Sequence, residues 1–428
     1  MTSPPRPRVA ARLRGLAVDT GPLRRHRDFR LLWTGELVSQ AGTQVGLVTV
    51  FIQVFEITDS SAAVGAIGLA QLGPLIVMTL LGGPLIDRFD RRRLLMLAAA
   101  GQAVASAVLF LGALAGEPPL ALVYAAAGLA GGLGGFALST RSAATPNTVP
   151  PAELSPAIAL NQVMWQTCQI VGPAVGGVIV ARAGLAWAYG LDVASFAAVI
   201  VTTALMSPQP PRNGGVPTSA GWHGVVEGIR YLKGRRVLQS IFAADLVAMI
   251  FGMPRALFPV LALTQFHRGE EVVGALFSAV AVGALLGALT TGWVGRIRRQ
   301  GLAVLVAVGI WGLGIAAFGL VGDLLWIAFG CLAAAGAADV ISAVFRGTIL
   351  QQSTPDALRG RLSALNIVVV AGGPRLGDFE AGVVAAAFTP TVSVVSGGLA
   401  CVGGVIVLAA AVPEFARYEA PRETEAPA

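Results

Sequence analysis

Long apolar runs alternate with short polar breaks along the chain. A helix needs about 20 residues to cross a hydrocarbon core. Runs of that order lie near residues 31–55, 63–86, 94–115, 119–141, 157–181, 185–206, 237–263, 271–294, 302–321, 324–345, 363–388 and 391–412. The chain therefore reads as an all-α polytopic membrane protein with twelve transmembrane helices. The longest polar break, 207–236, carries Pro208, Pro210, Pro211, Asn213, Gly214 and Gly215 and separates six runs from six. Between 224 and 237 it turns amphipathic, with Val225, Ile229 and Leu232 on one face and Arg230, Lys233 and Arg236 elsewhere. That pattern predicts a helix lying on the membrane surface. The expected layout is a basic arm (1–30), a six-helix bundle (31–206), a linker (207–236), a second six-helix bundle (237–412) and a tail (413–428).

The second bundle repeats the first. Glu36-Leu-Val recurs as Asp245-Leu-Val 209 positions later; Gly83 and Thr145-Pro146 recur at that same offset as Gly292 and Thr354-Pro355. Gly172-Pro-Ala-Val-Gly-Gly177 recurs in part as Gly373-Pro-Arg-Leu-Gly377, at a shorter offset. Three matches at one offset, in the order of the spans, indicate duplication. They imply two parallel halves related by an axis along the membrane normal.

Composition fits the same picture. The chain is 55% hydrophobic and 12% charged, with a mean hydropathy of +0.73, where a soluble domain has roughly 25% charged residues. The net charge of +7 is not a nucleic-acid signal. Nearly all the arginines fall in the arm, the 87–93 loop, the linker, the 296–299 loop and the 359–361 turn, on one side of the expected topology. Arg182 and Arg268 fall in opposite loops, and Arg255 and Arg375 within spans. That asymmetry puts both termini in the cytoplasm and the chain in the inner (plasma) membrane. The arm has no apolar core before Leu31, so it does not read as a cleavable signal peptide. Cys168, Cys331 and Cys401 lie in spans with no metal-ligand spacing, and His26, His223 and His267 fall in tails or loops. With no enzyme constellation, cofactor motif or ATPase sequence, the chain does not read as an enzyme. Its expected partners are the bilayer, a small molecule and protons, and it is expected to act as a monomer.

The loop between the second and third spans carries more than topology. It reads Gly83-Pro-Leu-Ile-Asp-Arg-Phe-Asp-Arg-Arg-Arg93. This resembles the signature loop of the major facilitator superfamily, Gly-x-Leu-x-Asp-Arg-x-Gly-Arg-Arg. Gly83, Leu85, Asp87, Arg88, Arg91 and Arg92 match, and Asp90 stands where the pattern has glycine. The resemblance implies a conformational latch. Gly83 admits a close neighbour. Asp87 at a helix end can accept from another helix's amino-terminal N–H groups, and Arg88 and Arg91 can meet carboxylates across the cytoplasmic gap. In the second repeat Arg296 replaces Asp87, so one half alone keeps the motif. Gly172, Pro173, Gly176 and Gly177 in the fifth span resemble the antiporter motif of the same superfamily. Physically they give a proline kink and a smooth small-residue contact face; an ordinary packing kink is the plainer reading of the same residues.

Ionisable residues within spans mark function or a structural pair, because a charge at a helix centre costs about 2.5–3.5 kcal/mol unless it finds a partner or a cavity. The first span carries Glu36 and Gln40, the sixth Asp192, the seventh Asp245 and Arg255, the tenth Asp339 and Arg346, and the eleventh Arg375, Asp378 and Glu380. Arg375 and Asp378, three apart, are placed to pair on one helix. Asp339 and Arg346 are separated by roughly 10 Å along the axis and are not expected to pair directly. Glu36 and Asp245 occupy equivalent places in the repeats, so they are expected to face one water-filled space from opposite halves. A carboxylate against an apolar wall holds a proton more readily than one in water, which suits proton coupling.

Within the superfamily the chain resembles the enterobactin-exporter-like efflux branch. The resemblance is carried by His26-Arg-Asp-Phe-Arg-Leu-Leu-Trp33, Ala144-Thr-Pro146, the 172–177 motif, Glu227-Gly-Ile-Arg-Tyr-Leu232 and Thr354-Pro-Asp-Ala-Leu-Arg-Gly-Arg361. It implies export of a small amphipathic molecule, drug or siderophore-like, by proton antiport and alternating access. A proton-coupled uptake symporter and a non-transporting scaffold or sensor remain the alternatives.

Overall fold

The structure is a computed structural model that describes residues 19–116, 118–211 and 222–419. The arm before residue 19, the middle of the linker and the tail from 420 lie outside the described residues. Twelve long helices follow one another: α1 (Arg27–Thr58), α2 (Ser61–Arg88), α3 (Arg91–Ala115), α4 (Leu120–Thr148), α5 (Leu154–Ala183), α6 (Leu185–Ala204), α7 in two pieces (Arg236–Phe251 and Phe258–Thr264), α8 (Glu270–Leu289), α9 (Gln300–Leu320), α10 (Leu325–Gln352), α11 (Asp356–Ala387) and α12 (Pro390–Ala411). Among the described residues, eleven segments are long and apolar enough to cross a membrane. The twelfth long helix, α11, is outside that count; Arg375, Asp378 and Glu380 lie in its second half.

Turn chemistry fixes how the helices meet. Asp59 ends α1 in the left-handed region at φ 47°, a conformation aspartate tolerates better than most residues. Ser60 then caps α2 by accepting from the Ala63 N–H. Thr389 caps α12 in the same way, ahead of Pro390 in its first turn.

Two expected boundaries differ. The surface helix runs from Trp222 to Leu232 rather than to residue 237, because Gly234 turns the chain at φ 84° and α7 starts anew at Arg236. It packs against α11. The seventh span is not continuous. Pro254 has no N–H to give, so α7 stops at Phe251 and resumes through a 3-10 turn, Arg255–Leu257. The Trp311 indole of α9 donates to the Gly252 carbonyl (2.8 Å) at the break, as a break inside a membrane requires.

On one side of the linker α1 packs on α5 and α6, α2 on α4, and α3 on α4 and α6; on the other, α7 packs on α11 and α12, α8 on α10, and α9 on α10 and α12. The two sets meet along α2–α11 and α5–α8. These seams are related by the repeat. Both are closest on the side of the membrane opposite the chain termini. There Gly65 lies against Gly382 and Gly177 against Gly274; a Cβ on Gly382 would sit 2.9 Å from the Gly65 Cα, and one on Gly177 3.1 Å from the Gly274 Cα.

Candidate functional site

Two buried ion pairs occupy repeat-equivalent places. Glu36 lies nine residues into α1 and pairs with Arg141 of α4. Asp245 lies nine residues into α7 and pairs with Arg346 of α10 at 2.8 Å. The two arginines sit about two turns before the ends of their helices. Each acid is thus taken by an arginine of its own half, rather than facing an open space shared with the other. The Asp245 and Arg346 side chains are only 3% and 7% exposed. Gln40, half-buried, follows one turn after Glu36 on the same face of α1.

Arg346 also reaches Asp339, at 3.8 Å, and donates to Ser342 Oγ at 3.1 Å. The expectation that Asp339 and Arg346 stay apart is therefore corrected. Helical side chains lean toward the amino terminus, and an arginine leaning back over two turns closes most of the axial gap. Two carboxylates share one guanidinium here.

A third cluster forms where α7 breaks. Asp378 of α11 pairs with Arg255 (2.7 Å) and accepts from the Ala256 N–H. This corrects the expected Arg375–Asp378 pair on one helix. The broken α7 delivers Arg255 and a free backbone donor to Asp378, and the Arg375 guanidinium donates instead to the Ala371 carbonyl. The cluster sits at the seam with α2, whose Gly65 and Gly68 lie against the Asp378 and Arg375 backbone.

The signature loop is tied to its own half. Asp90 caps α3 by accepting from the Arg92 N–H (2.9 Å), and the same oxygen accepts from the Gln209 N–H (3.0 Å) beyond α6. The Arg91 N–H donates to the Gln209 carbonyl, and the Arg92 guanidinium donates to the Ala204 carbonyl. Arg88 lies over the Phe89 ring. Asp87, half-buried, is the penultimate residue of α2, next to the buried Ile86, with Gly83 one turn before it. The aspartate that departs from the pattern is thus the residue that fastens the loop. Asp90→Ala is expected to remove a cap worth about 1 kcal/mol together with the Gln209 tie, lowering the thermal midpoint of the purified protein by a few degrees. An unchanged midpoint would show that the loop is held by other means.

The small-residue motifs pack their helices alike in both halves. Gly172 and Gly176 lie against Gln44 and Val45 of α1, and Gly373 and Gly377 against Met249 and Ile250 of α7. Pro173 and Gly177 face α8 across the other seam, where the Gly274 backbone touches both.

Two site residues escaped the sequence reading. Arg141 stands at the end of the expected 119–141 span, and the helix continues to Thr148. Its signal was Arg346, which lies within one helical turn of the repeat-equivalent position. Asp192 reads from the sequence only as an intramembrane acid. It is buried, accepts from Ser106 Oγ of α3 at 2.6 Å, and presses on Gly46 of α1, where a Cβ would sit 2.8 Å from its carboxylate.

Repeat-related halves, paired seams and buried ion pairs at matching depths define a secondary transporter of the major facilitator fold. The chain belongs to the transmembrane secretion effector family of that superfamily, whose model matches residues 18–427. It is 29% identical over 402 residues to the enterobactin exporter EntS of Citrobacter koseri, covering 93% of this chain and 95% of that protein. It is 28% identical over 398 residues to EntS of Shigella boydii serotype 18, covering 92% and 94%. Among crystal structures it resembles the nucleoside transporter NupG (TM-score 0.70, 14% identity, 91% of this chain and 99% of that one). It also resembles a bacterial homologue of the iron transporter ferroportin in an inward-facing state (TM-score 0.68, 17% identity, 91% and 98%). At such identities the structures share the fold alone. The protein is a multi-pass membrane transporter and not an enzyme.

Proposed function

We propose that the protein exports a small amphipathic molecule across the plasma membrane by proton antiport, with both termini in the cytoplasm. The observation that carries the reading is the sharing of Arg346 by Asp245 and Asp339. One guanidinium neutralises one carboxylate, so the cluster is balanced when it holds one proton and short of a positive charge when it does not. A buried group with that imbalance exchanges a proton whenever water reaches it. Asp339, the more distant acid, is the proton carrier in this reading, and Asp245 stays on Arg346. The pairs Glu36–Arg141 and Asp245–Arg346 hold each half together while the halves rock about the α2–α11 and α5–α8 seams. Asp87 and the arginines after it stabilise closure on the cytoplasmic side. Export, rather than uptake, is supported by the exporters to which the chain is similar along nearly its full length.

The test is a substrate screen in everted membrane vesicles with an imposed pH gradient, acidic inside. A transported compound is expected to accumulate in the vesicles and to speed collapse of the gradient. Collapse with outward loss of compound would instead identify an uptake symporter. An absence of flux across the screen and in proteoliposomes would leave a scaffold.

A further inference from the structure

We infer that the molecule carried is an amphipathic anion, its acidic group held by Arg375 beside the Arg255–Asp378 pair. The inference rests on the transport reading above and adds the charge of the substrate. Three charged side chains meet where α7 breaks against α11. Arg255 and Asp378 pair at 2.7 Å, and Arg375 acts electrostatically on both of them. Asp378 is buried and holds Arg255 through one carboxylate oxygen, with the Ala256 N–H close by. The guanidinium of Arg375 spends one N–H on the Ala371 carbonyl of its own helix, and its Nε is buried without a partner. The Arg255 Nε is in the same state. Two guanidiniums and one carboxylate leave an excess positive charge within the membrane span. Both arginines are largely buried, the Arg255 side chain 24% exposed, and the lipid cannot solvate such a charge.

The neighbouring α2 brings no counter-charge to this point. What it sets against α11 is Gly65 and Gly68, with Leu72 against Gly372. From α7 come Met249 and Ile250, against Gly373 and Gly377. The groups set against this stretch of α11 are thus glycine and apolar residues, and the Arg375 fork keeps N–H groups unused. A fork of this kind takes a carboxylate, sulfonate or phosphate in paired hydrogen bonds, and the apolar helix surface around the seam suits a ligand with an apolar body. The position at the α2–α11 seam, where the halves move against each other, lets an anion bound here bear on both.

Fluorescein and tetramethylrhodamine ethyl ester share a xanthene frame and differ in charge, one anionic and one cationic. Their fluorescence anisotropy is measured on the purified full-length protein in a neutral detergent at mildly alkaline pH. Fluorescein is expected to bind saturably and the cationic dye not to compete. Arg375→Gln removes the excess charge and leaves the Arg255–Asp378 pair intact, so the variant is expected to fold. It should weaken fluorescein binding by about tenfold, the loss of one charge-assisted contact, while Arg375→Lys, which keeps the charge and loses the fork, should fall between the two. Three results would overturn the inference: binding of the cationic dye as tightly as fluorescein, unchanged fluorescein affinity in Arg375→Gln, or no saturable fluorescein binding at all. Should fluorescein bind at Arg375 but fail to accumulate in everted vesicles, the anion site stands and the export reading falls.

Discussion

Arg346→Gln is expected to be the most damaging single substitution in the α7–α10 contact, and adding Asp245→Asn to it is expected to recover much of the loss. The single change leaves Asp245, 3% exposed, and Asp339 without their shared cation. Removing one partner of a buried ion pair costs about 3–5 kcal/mol, because the charge left behind has neither water nor a partner. Replacing both partners by neutral groups of the same shape costs far less. The readouts are the yield of monodisperse protein and its thermal midpoint in detergent. A single variant as stable as the parent would mean that the pair does not hold α7 to α10. The matching experiment on Glu36 and Arg141 should give the same pattern, since the duplication places the same device in the other half.

Gly177→Leu should stop transport while leaving the fold in place. A Cβ at this position would sit 2.5 Å from the Glu270 carbonyl and 3.1 Å from the Gly274 backbone. Both belong to α8, in the other half. The added volume therefore strikes the seam between the halves and not the interior of one bundle. Overpacking of this kind costs roughly 1–3 kcal/mol, which lowers the population closed on that side by about tenfold. Ser278 reports on the seam, because its hydroxyl donates to the Ile170 carbonyl of α5 at 2.6 Å. With Cys168, Cys331 and Cys401 replaced, a Ser278→Cys thiol should be labelled faster in the Gly177→Leu background. Equal labelling and normal transport would place the closing contact elsewhere.

Hydropathy and the 209-residue repeat made most of the fold legible, because membrane crossing depends on length and apolarity that each segment carries by itself. What one segment does not carry is its partner on another helix. Arg375 and Asp378 are spaced to pair on α11, yet Asp378 goes to Arg255, because the break at Pro254 frees both an arginine and an N–H beside it. The break had a signal in Pro254, but the apolar run continues through it. Asp90 looked like a defect in a motif and is the loop's cap, since its role depends on Gln209, more than a hundred residues away. Glu36 and Asp245 were legible as equivalents. Their arginines were not, since the fourth helix of each repeat places its arginine one turn out of register with the other.

The most direct test of the proton-coupled mechanism is to compare Asp339→Asn with the unaltered protein in proteoliposomes, using a compound identified by the vesicle screen. Uphill accumulation driven by a pH gradient, and exchange of labelled for unlabelled compound with no gradient, are measured on the same preparation. If Asp339 carries the proton, the variant loses uphill accumulation and keeps exchange. Full gradient-driven accumulation in Asp339→Asn would contradict the mechanism.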